Sequence, residues 1–278
     1  LDISAYSKIM RRVIKKDLPL IIAVSFFSII TVWWIILQLL GVREQLHNYI
    51  FGGTYGLIAV YGGILGIFIA QKWGGFKSSL GRFVYFIAFG LFIEEFGQLA
   101  FTSYNLFLKI QVPYPSIADI GFFGLIPFYI LAVISLAHTV GLKFSLKSIG
   151  AKLQLIFIPV IMLVISYALF LQDYTFDFDN PVKILLDFGY PLGHAIYISI
   201  TILILSLSRK YLGGIMRNTI FFFLFAFLMQ YIAEFNFLFQ SSRGTWVNAG
   251  YGDYLYFLAY FFMTLTIIQL NNILRKIR

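Results

Sequence analysis

The sequence predicts an all-α integral membrane protein of eight transmembrane helices, arranged as two parallel four-helix repeats with both termini in the cytoplasm. Three observations lead to this prediction. The chain is 60% hydrophobic and only 12% charged, whereas a soluble domain is roughly 25% charged. It contains eight apolar runs of the length that crosses a bilayer, about 20 residues each. Its lysines and arginines are concentrated in alternate connections between these runs.

Short polar breaks separate the apolar runs and set their approximate limits. We expect spans at residues 18–40, 50–71, 83–104, 117–140, 153–171, 182–208, 218–240 and 254–274. The connections that remain are too short to hold a soluble catalytic domain. Any function must therefore reside within the bilayer or at its surfaces.

The basic residues predict the orientation of the chain in the membrane. All but four of the 21 lysines and arginines lie before span one, in every second connection, or after span eight. The four exceptions are Arg43, Lys109, Lys183 and Arg243. Because short cytoplasmic loops carry an excess of lysine and arginine, both termini are expected inside the cell. This placement also assigns the net charge of +9 to membrane topology and not to nucleic-acid binding.

Two halves of the sequence match at a nearly constant offset, which predicts an internal repeat. Segment 51–53 corresponds to 188–190, and segment 72–75 corresponds to 210–214, at an offset of about 134–138 residues. Each half has four spans, so the copies share one orientation. We expect a cytoplasmic basic lead-in at 1–17, a first repeat at 18–152, a second repeat at 153–274 and a cytoplasmic end at 275–278.

Each predicted repeat contains an acid and an amide four residues apart within an apolar helix. Glu94 and Gln98 in span three correspond to Gln230 and Glu234 in span seven. Residues at this spacing share a helix face. An ionisable residue inside a membrane span is costly and is by default a functional-site hypothesis. We predict that these four side chains line a polar, ligand-binding pocket that is open to the exterior.

The same four residues also permit a purely structural interpretation. The repeat alignment places Glu94 level with Gln230, and Gln98 level with Glu234, so each depth holds one acid and one amide. These pairs can bond across the bundle, because polar side chains often join membrane helices in this way. The sequence leaves open whether the four residues bind a ligand or only each other.

Five further titratable residues are candidates for the same site: Glu95, Asp119, Asp187, His194 and Asp253. Glu95 points about 100° away from Glu94 around the helix and needs a separate partner. Asp119 and Asp253 are expected to cap the helices of spans four and eight. His194 is a lone histidine, for which a packing role is the commoner one.

No catalytic motif is evident in the sequence. It lacks a His-Glu-x-x-His helix, a Gly-x-Ser-x-Gly elbow and a phosphate-binding glycine loop. There is no cysteine, and the three histidines form no metal-ligand cluster. We therefore expect a protein that is not an enzyme and that uses neither a metal nor a cofactor.

One segment resembles a known family. Residues 113–119, Pro-Tyr-Pro-Ser-Ile-Ala-Asp, with the later Pro127, resemble an element of bacterial multi-span sensor regions that precede diguanylate cyclases and histidine kinases. Segment 190–193 and the approach to Asp253 are similar to later elements of these regions, whereas His194 stands where aspartate is common. The resemblance implies a sensory role, with the signal leaving through the basic helix after span eight.

Three functions follow as hypotheses. The first is a membrane sensory or ligand-binding domain, whose partners would be the lipid bilayer, a small ligand from the exterior, and a cytoplasmic signalling module or membrane partner. The second is a small-solute or proton-coupled transporter, in which Glu94, Glu95 or Glu234 takes up a proton. The third is an accessory subunit of a larger membrane complex. All three place the protein in the cell membrane.

Overall fold

The computed structural model describes residues 3–140, 149–172, 174–208 and 216–277, and this part of the chain is helical without strands. Eight of its helical segments are long and apolar enough to cross a membrane, which confirms the predicted all-α class and span count. The α-helices are α1 (Ile3–Leu39), α2 (Leu46–Thr54), α3 (Leu57–Lys72), α4 (Ser79–Ser103), α5 (Ile117–Thr139), α6 (Ile149–Ser166), α7 (Pro181–Ser208), α8 (Arg217–Ser242) and α9 (Tyr251–Ile277).

The internal repeat and the cytoplasmic location of the termini stay predictions. Segment 210–214, which carries one of the repeat matches, lies outside the described residues. So do five residues on which the predicted orientation partly rests, namely Lys143, Lys147, Arg209, Lys210 and Arg278.

Span two differs from its predicted form because it consists of two helices. α2 begins at Leu46, ahead of the predicted residue 50, because the Asn48 side chain accepts a 3.2 Å hydrogen bond from the Gln45 amide and caps the helix start. α2 ends at Thr54 and α3 begins at Leu57, so the span is broken within its length. We refer to Tyr55 and Gly56 as the α2–α3 break.

Six helices pack side by side in the cyclic order α3, α4, α5, α7, α8, α9, with α9 closing on α3. α2 packs mainly on α4, and α1 and α6 lie outside this ring. Only 17% of the apolar window of α1 and 6% of that of α6 are buried, against 44–72% for the remaining spans. α1 packs on α9, where Phe27 stacks on Phe257 and Phe261 at centroid distances of 5.1 and 4.0 Å. Most of the surfaces of α1 and α6 therefore face the surroundings of the bundle.

Glycines allow the closest helix contacts in the ring. A Cβ on Gly121 of α5 would overlap the backbone of α4 at Gly97. A Cβ on Gly62 of α3 would overlap the Thr264 side chain of α9, and one on Gly66 would lie 2.9 Å from the Ala88 side chain of α4. Glycines spaced four residues apart let membrane helices approach closely, and the structure shows such packing for this pair.

Side-chain hydrogen bonds tie the connections together at both ends of the bundle. At the end where α3 stops, the Lys72 Nζ lies 3.4 Å from the Asn271 Oδ1 of α9. This end carries most of the basic residues, and we call it the basic end. At the opposite end, the Glu44 carboxylate accepts hydrogen bonds of 2.8 and 2.9 Å from the backbone and side chain of Asn248.

Candidate functional site

A large cavity lies at the end of the bundle opposite the basic end, which we call the cavity end. Its volume is about 1190 Å³, which is ample for an organic ligand. Its walls come from the cavity ends of α2, α4, α5, α7 and α8 and from the connections between them. A π-helical turn, Tyr104–Leu108, extends α4 and supplies part of the wall. Two of the candidate residues, Asp119 and Asp187, line this cavity.

Asp119 combines the predicted capping role with a position in the cavity wall. Its Oδ2 accepts a 2.7 Å hydrogen bond from the Ser116 amide, which confirms the capping box at the start of α5. Its Oδ1 accepts a 2.8 Å hydrogen bond from the Tyr190 hydroxyl of α7. The carboxylate thus joins two helices of the ring at the edge of the cavity.

Asp187 of α7 lies in the opposite wall of the cavity. Its Oδ1 accepts a hydrogen bond from Tyr114, and its Oδ2 accepts one from Tyr174, both at 2.8 Å. The Lys183 ammonium lies 3.0 Å from the Oδ2, one helical turn away. Burial, and then the hydrogen bond to Asp187, raise the pKa of Tyr114 above its ordinary range, so this tyrosine stays a neutral donor.

Four aromatic side chains form the floor of the cavity, and we call them the aromatic layer: Phe101 of α4, Phe122 of α5, Phe237 of α8 and Trp246. Their ring centroids lie 4.9–6.5 Å apart in neighbouring pairs. The same four residues line a second, small cavity of about 10 Å³, together with Gln98 and Tyr256. This space is about that of one water molecule. The aromatic layer therefore separates the large cavity from a small chamber that Gln98 and Tyr256 also line.

Beneath the chamber lies a buried carboxyl cluster made by Glu94, Gln230, Glu234, Tyr129 and Tyr256. The Gln230 Nε2 donates to the Glu94 Oε1 at 2.5 Å and to the Glu234 Oε1 at 3.0 Å. Tyr129 donates to Glu94 at 2.9 Å, and Tyr256 donates to Glu234 at 2.8 Å. Both glutamates and Gln230 are at most 2% exposed. The cluster links α4, α5, α8 and α9.

The predicted acid/amide pairing is right for one pair and wrong for the other. Glu94 bonds Gln230, as the repeat alignment predicts. Gln98 does not bond Glu234, because its Nε2 donates instead to the Gly52 carbonyl of α2 at 3.0 Å. Gln98 therefore faces α2 at the edge of the small chamber, whereas Glu94 faces the carboxyl cluster. Neither Glu94, Gln230 nor Glu234 lines the large cavity, and their predicted role in ligand binding stays a prediction.

The remaining candidates are also buried. Asp253 lies in the first turn of α9, where its Oδ2 accepts from the Ala249 amide at 2.6 Å and its Oδ1 accepts from Tyr55 at 3.2 Å. His194 is 2% exposed, and its Nε2 lies 3.7 Å from the Glu234 Oε2, which is beyond hydrogen-bond distance. Within the described ranges, no three His, Cys, Asp or Glu residues are placed to hold a metal ion.

The sequence analysis did not predict that tyrosines are the hydrogen-bond partners of the buried acids. Five acids of the membrane region each accept a hydrogen bond from a tyrosine hydroxyl: Glu94, Asp119, Asp187, Glu234 and Asp253. The 18 tyrosines of the sequence were the available signal, since a buried tyrosine hydroxyl requires a hydrogen-bond partner. The aromatic layer was missed as well, because its members stand far apart in the sequence among 32 phenylalanines.

Comparison of the chain with protein-family models, with curated proteins and with solved structures gives no match. The resemblance of segment 113–119 to sensor regions therefore stays an expectation from the sequence. Function has to be argued from the cavity and the residues around it.

Proposed function

We propose that the chain is a multi-pass membrane domain, not an enzyme, that binds a small organic ligand in the large cavity and serves a sensory role. The observation that carries this proposal is the cavity itself. It is concave, and its wall combines eight aromatic side chains with polar groups, several of them fixed by hydrogen bonds, which suits a small-molecule site.

The exterior is the proposed source of the ligand. Among the described residues, the cavity end carries the basic residues Arg43, Lys109, Lys183 and Arg243, and the other described lysines and arginines lie toward the basic end. By the positive-inside rule, the basic end belongs in the cytoplasm and the cavity end outside. The C-terminal part of α9 would then carry a signal to the cytoplasmic side.

The cavity walls favour a ligand that has an aromatic part and carries no positive charge. Asp187 is already paired with Lys183, Glu44 is bonded to Asn248, and Asp119 caps α5. The remaining surface offers the aromatic layer for stacking, and Lys109 and neutral polar side chains for hydrogen bonds. Aromatic faces bind planar apolar groups well, whereas an added positive charge would find these three acids already bonded.

Labelling of an introduced cysteine tests the orientation and the cavity together, because the 278-residue chain has no cysteine of its own. Ser241→Cys places a thiol in the cavity wall, and Lys77→Cys places one at the basic end. We expect a membrane-impermeant maleimide to label Ser241→Cys but not Lys77→Cys in intact cells. The reverse result would refute an outward-facing cavity.

The ligand class is tested on the purified Ser241→Cys protein with three thiosulfonate reagents, one benzyl, one cationic and one anionic. We expect the benzyl reagent to react fastest relative to its rate with Leu39→Cys, which is 82% exposed and lies outside the cavity. Faster reaction of the cationic reagent would contradict the proposed ligand chemistry.

The α2–α3 break favours a second candidate, a proton-coupled transporter. Interrupted helices beside buried acids are typical of transporter substrate and ion sites. The two candidates differ in whether a compound crosses the membrane. Any compound that protects Ser241→Cys from the benzyl reagent should be tested for uptake into proteoliposomes; uptake that Glu234→Gln abolishes would favour the transporter.

A further inference from the structure

Glu95 is the exception among the acids of the membrane region. Five others accept a hydrogen bond from a tyrosine, as described above. Neither carboxyl oxygen of Glu95 has a hydrogen-bond partner among the described residues, although the side chain is only 2% exposed. A buried carboxylate without a partner is costly, so this group needs an explanation that the other acids do not.

The surroundings of Glu95 are the α2–α3 break. The Glu95 carboxyl lies against Gly56 so closely that a Cβ on that glycine would overlap it. One turn along α4, Gln98 donates to the Gly52 carbonyl at 3.0 Å. The helical ladder is altered here, since the Ile58 amide bonds the Tyr55 carbonyl three residues back at 3.5 Å. Glu95 thus faces a turn of right-handed helical backbone in which the hydrogen-bond ladder is loosened.

We propose that Glu95 and the α2–α3 break form a proton-binding site, and that the proton on Glu95 sets the position of α2. With the proton bound, the carboxyl is neutral and its O–H donates to a backbone carbonyl oxygen of the break. When the proton leaves to solvent, a carboxylate remains that can only accept hydrogen bonds. It then has no donor at the break, and α2 moves to admit water or another donor.

This site is linked to the large cavity through α2, in addition to α4, which carries Glu95 itself. Leu46 and Tyr49 of α2 line the cavity, and the other end of the same short helix stops at Thr54, beside the break. Because the break separates α2 from α3, α2 can shift without moving the rest of span two. Proton binding at Glu95 would therefore change the shape of the cavity whatever ligand occupies it.

Other titratable groups face Glu95 from the helices around it, and a test must separate them from it. The nearest are Glu94 on the same helix and Tyr55 at the break. Asp253 of α9 is held by Tyr55. Beyond Glu94 lie Tyr129 of α5, Glu234 of α8, and Tyr256 and Tyr260 of α9.

Infrared difference spectroscopy of the purified full chain tests proton binding directly. We expect a carbonyl band of a protonated carboxyl to disappear between acidic and alkaline pH. The Glu95→Gln variant should lose this band, and the matched Glu94→Gln variant should keep it. A pH difference spectrum that is unchanged by Glu95→Gln would overturn the proposal.

Electron-spin distance measurements test the movement of α2. Spin labels at Leu46→Cys and Val182→Cys span the cavity, and labels at Ile117→Cys and Val182→Cys form a control pair without α2. We expect the first distance alone to shift with pH, and Glu95→Gln or Glu95→Met to hold it at its acidic value. A shift that survives both substitutions, or an equal shift in the control pair, would refute the coupling.

Discussion

At the scale of single residues, tyrosine hydroxyls donate the hydrogen bonds that carboxyl groups need inside an apolar bundle. Glu94 and Glu234 share one amide donor, Gln230, and each has a tyrosine of its own. Three of these four bonds join different helices, and the Gln230–Glu234 bond spans one turn of α8. The acids therefore hold the bundle together laterally, and their partners should matter for stability.

Removing one tyrosine hydroxyl from the cluster should destabilise the protein. Tyr256→Phe leaves the Glu234 Oε2 without its donor, and we expect a loss of about 0.6–1.7 kcal/mol, the range measured for side-chain hydrogen bonds between membrane helices. Tyr251→Phe is the matched control, because Tyr251 is 66% exposed on the same helix. Thermal unfolding in detergent should show a lower midpoint for Tyr256→Phe only.

A double-mutant cycle should distinguish the pair that bonds from the pair that does not. We expect Glu94→Ala and Gln230→Ala to be non-additive, because Gln230 donates to Glu94 at 2.5 Å. Gln98→Ala and Glu234→Ala should add to within about 0.5 kcal/mol, as substitutions without a shared bond usually do. Coupling of the second pair alone would show that the hydrogen-bond assignment is wrong.

The sequence predicts part of this cluster and not the rest, for a definite reason. The Glu94–Gln230 bond and the Asp119 capping box follow from spacing and alignment. The direction of the Gln98 side chain does not follow in this way. Gln98 is four residues from Glu94 and three from Glu95, so it can share a helix face with either glutamate. Packing against the small residue Gly52 decides between them. A tyrosine partner is similarly set by the rotation of its helix, which a single sequence does not fix.

At the scale of elements, glycine contacts determine how closely the helices of the ring approach. Gly97 and Gly121 bring α4 and α5 together at backbone distance. The sequence locates all eight spans correctly, since each is defined by its own apolar length. It does not predict the α2–α3 break, because the apolar character of span two is continuous through it.

Substitution of glycine by alanine should show which helix contacts require glycine and which do not. Gly121→Ala places a Cβ against the α4 backbone, and we expect a destabilisation of about 1–3 kcal/mol. Gly150→Ala in α6 meets nothing within 4 Å and should be neutral or slightly stabilising. Thermal unfolding followed by circular dichroism measures both; equal midpoints would contradict the close packing of α4 and α5.

At the scale of the whole molecule, a ring of six helices encloses two cavities in series, with the aromatic layer between them. Neither the order of the helices in the ring nor the cavities can be predicted from the sequence, because both depend on which apolar helix faces pack against each other. Apolar helix surfaces look alike in composition whether they meet lipid or protein. The exclusion of α1 and α6 from the ring is visible only in the structure.

Opening the aromatic layer should expose the small chamber to reagents in the large cavity. In a protein carrying Gln98→Cys, we expect Phe237→Ala to accelerate modification by the benzyl thiosulfonate severalfold, since Phe237 lines both cavities. Phe225→Ala, on an exposed part of the same helix, should leave the rate unchanged. An unchanged rate in the Phe237→Ala protein would mean that the layer is not the barrier.

The position of Trp246 in the aromatic layer has a practical consequence. The chain has four tryptophans, and the other three, Trp33, Trp34 and Trp73, lie away from the large cavity lining. Replacing those three with phenylalanine would leave one indole whose emission depends on what fills the space beside it. The protein then carries its own optical reporter of cavity occupancy, so compounds can be screened by fluorescence without attaching a dye.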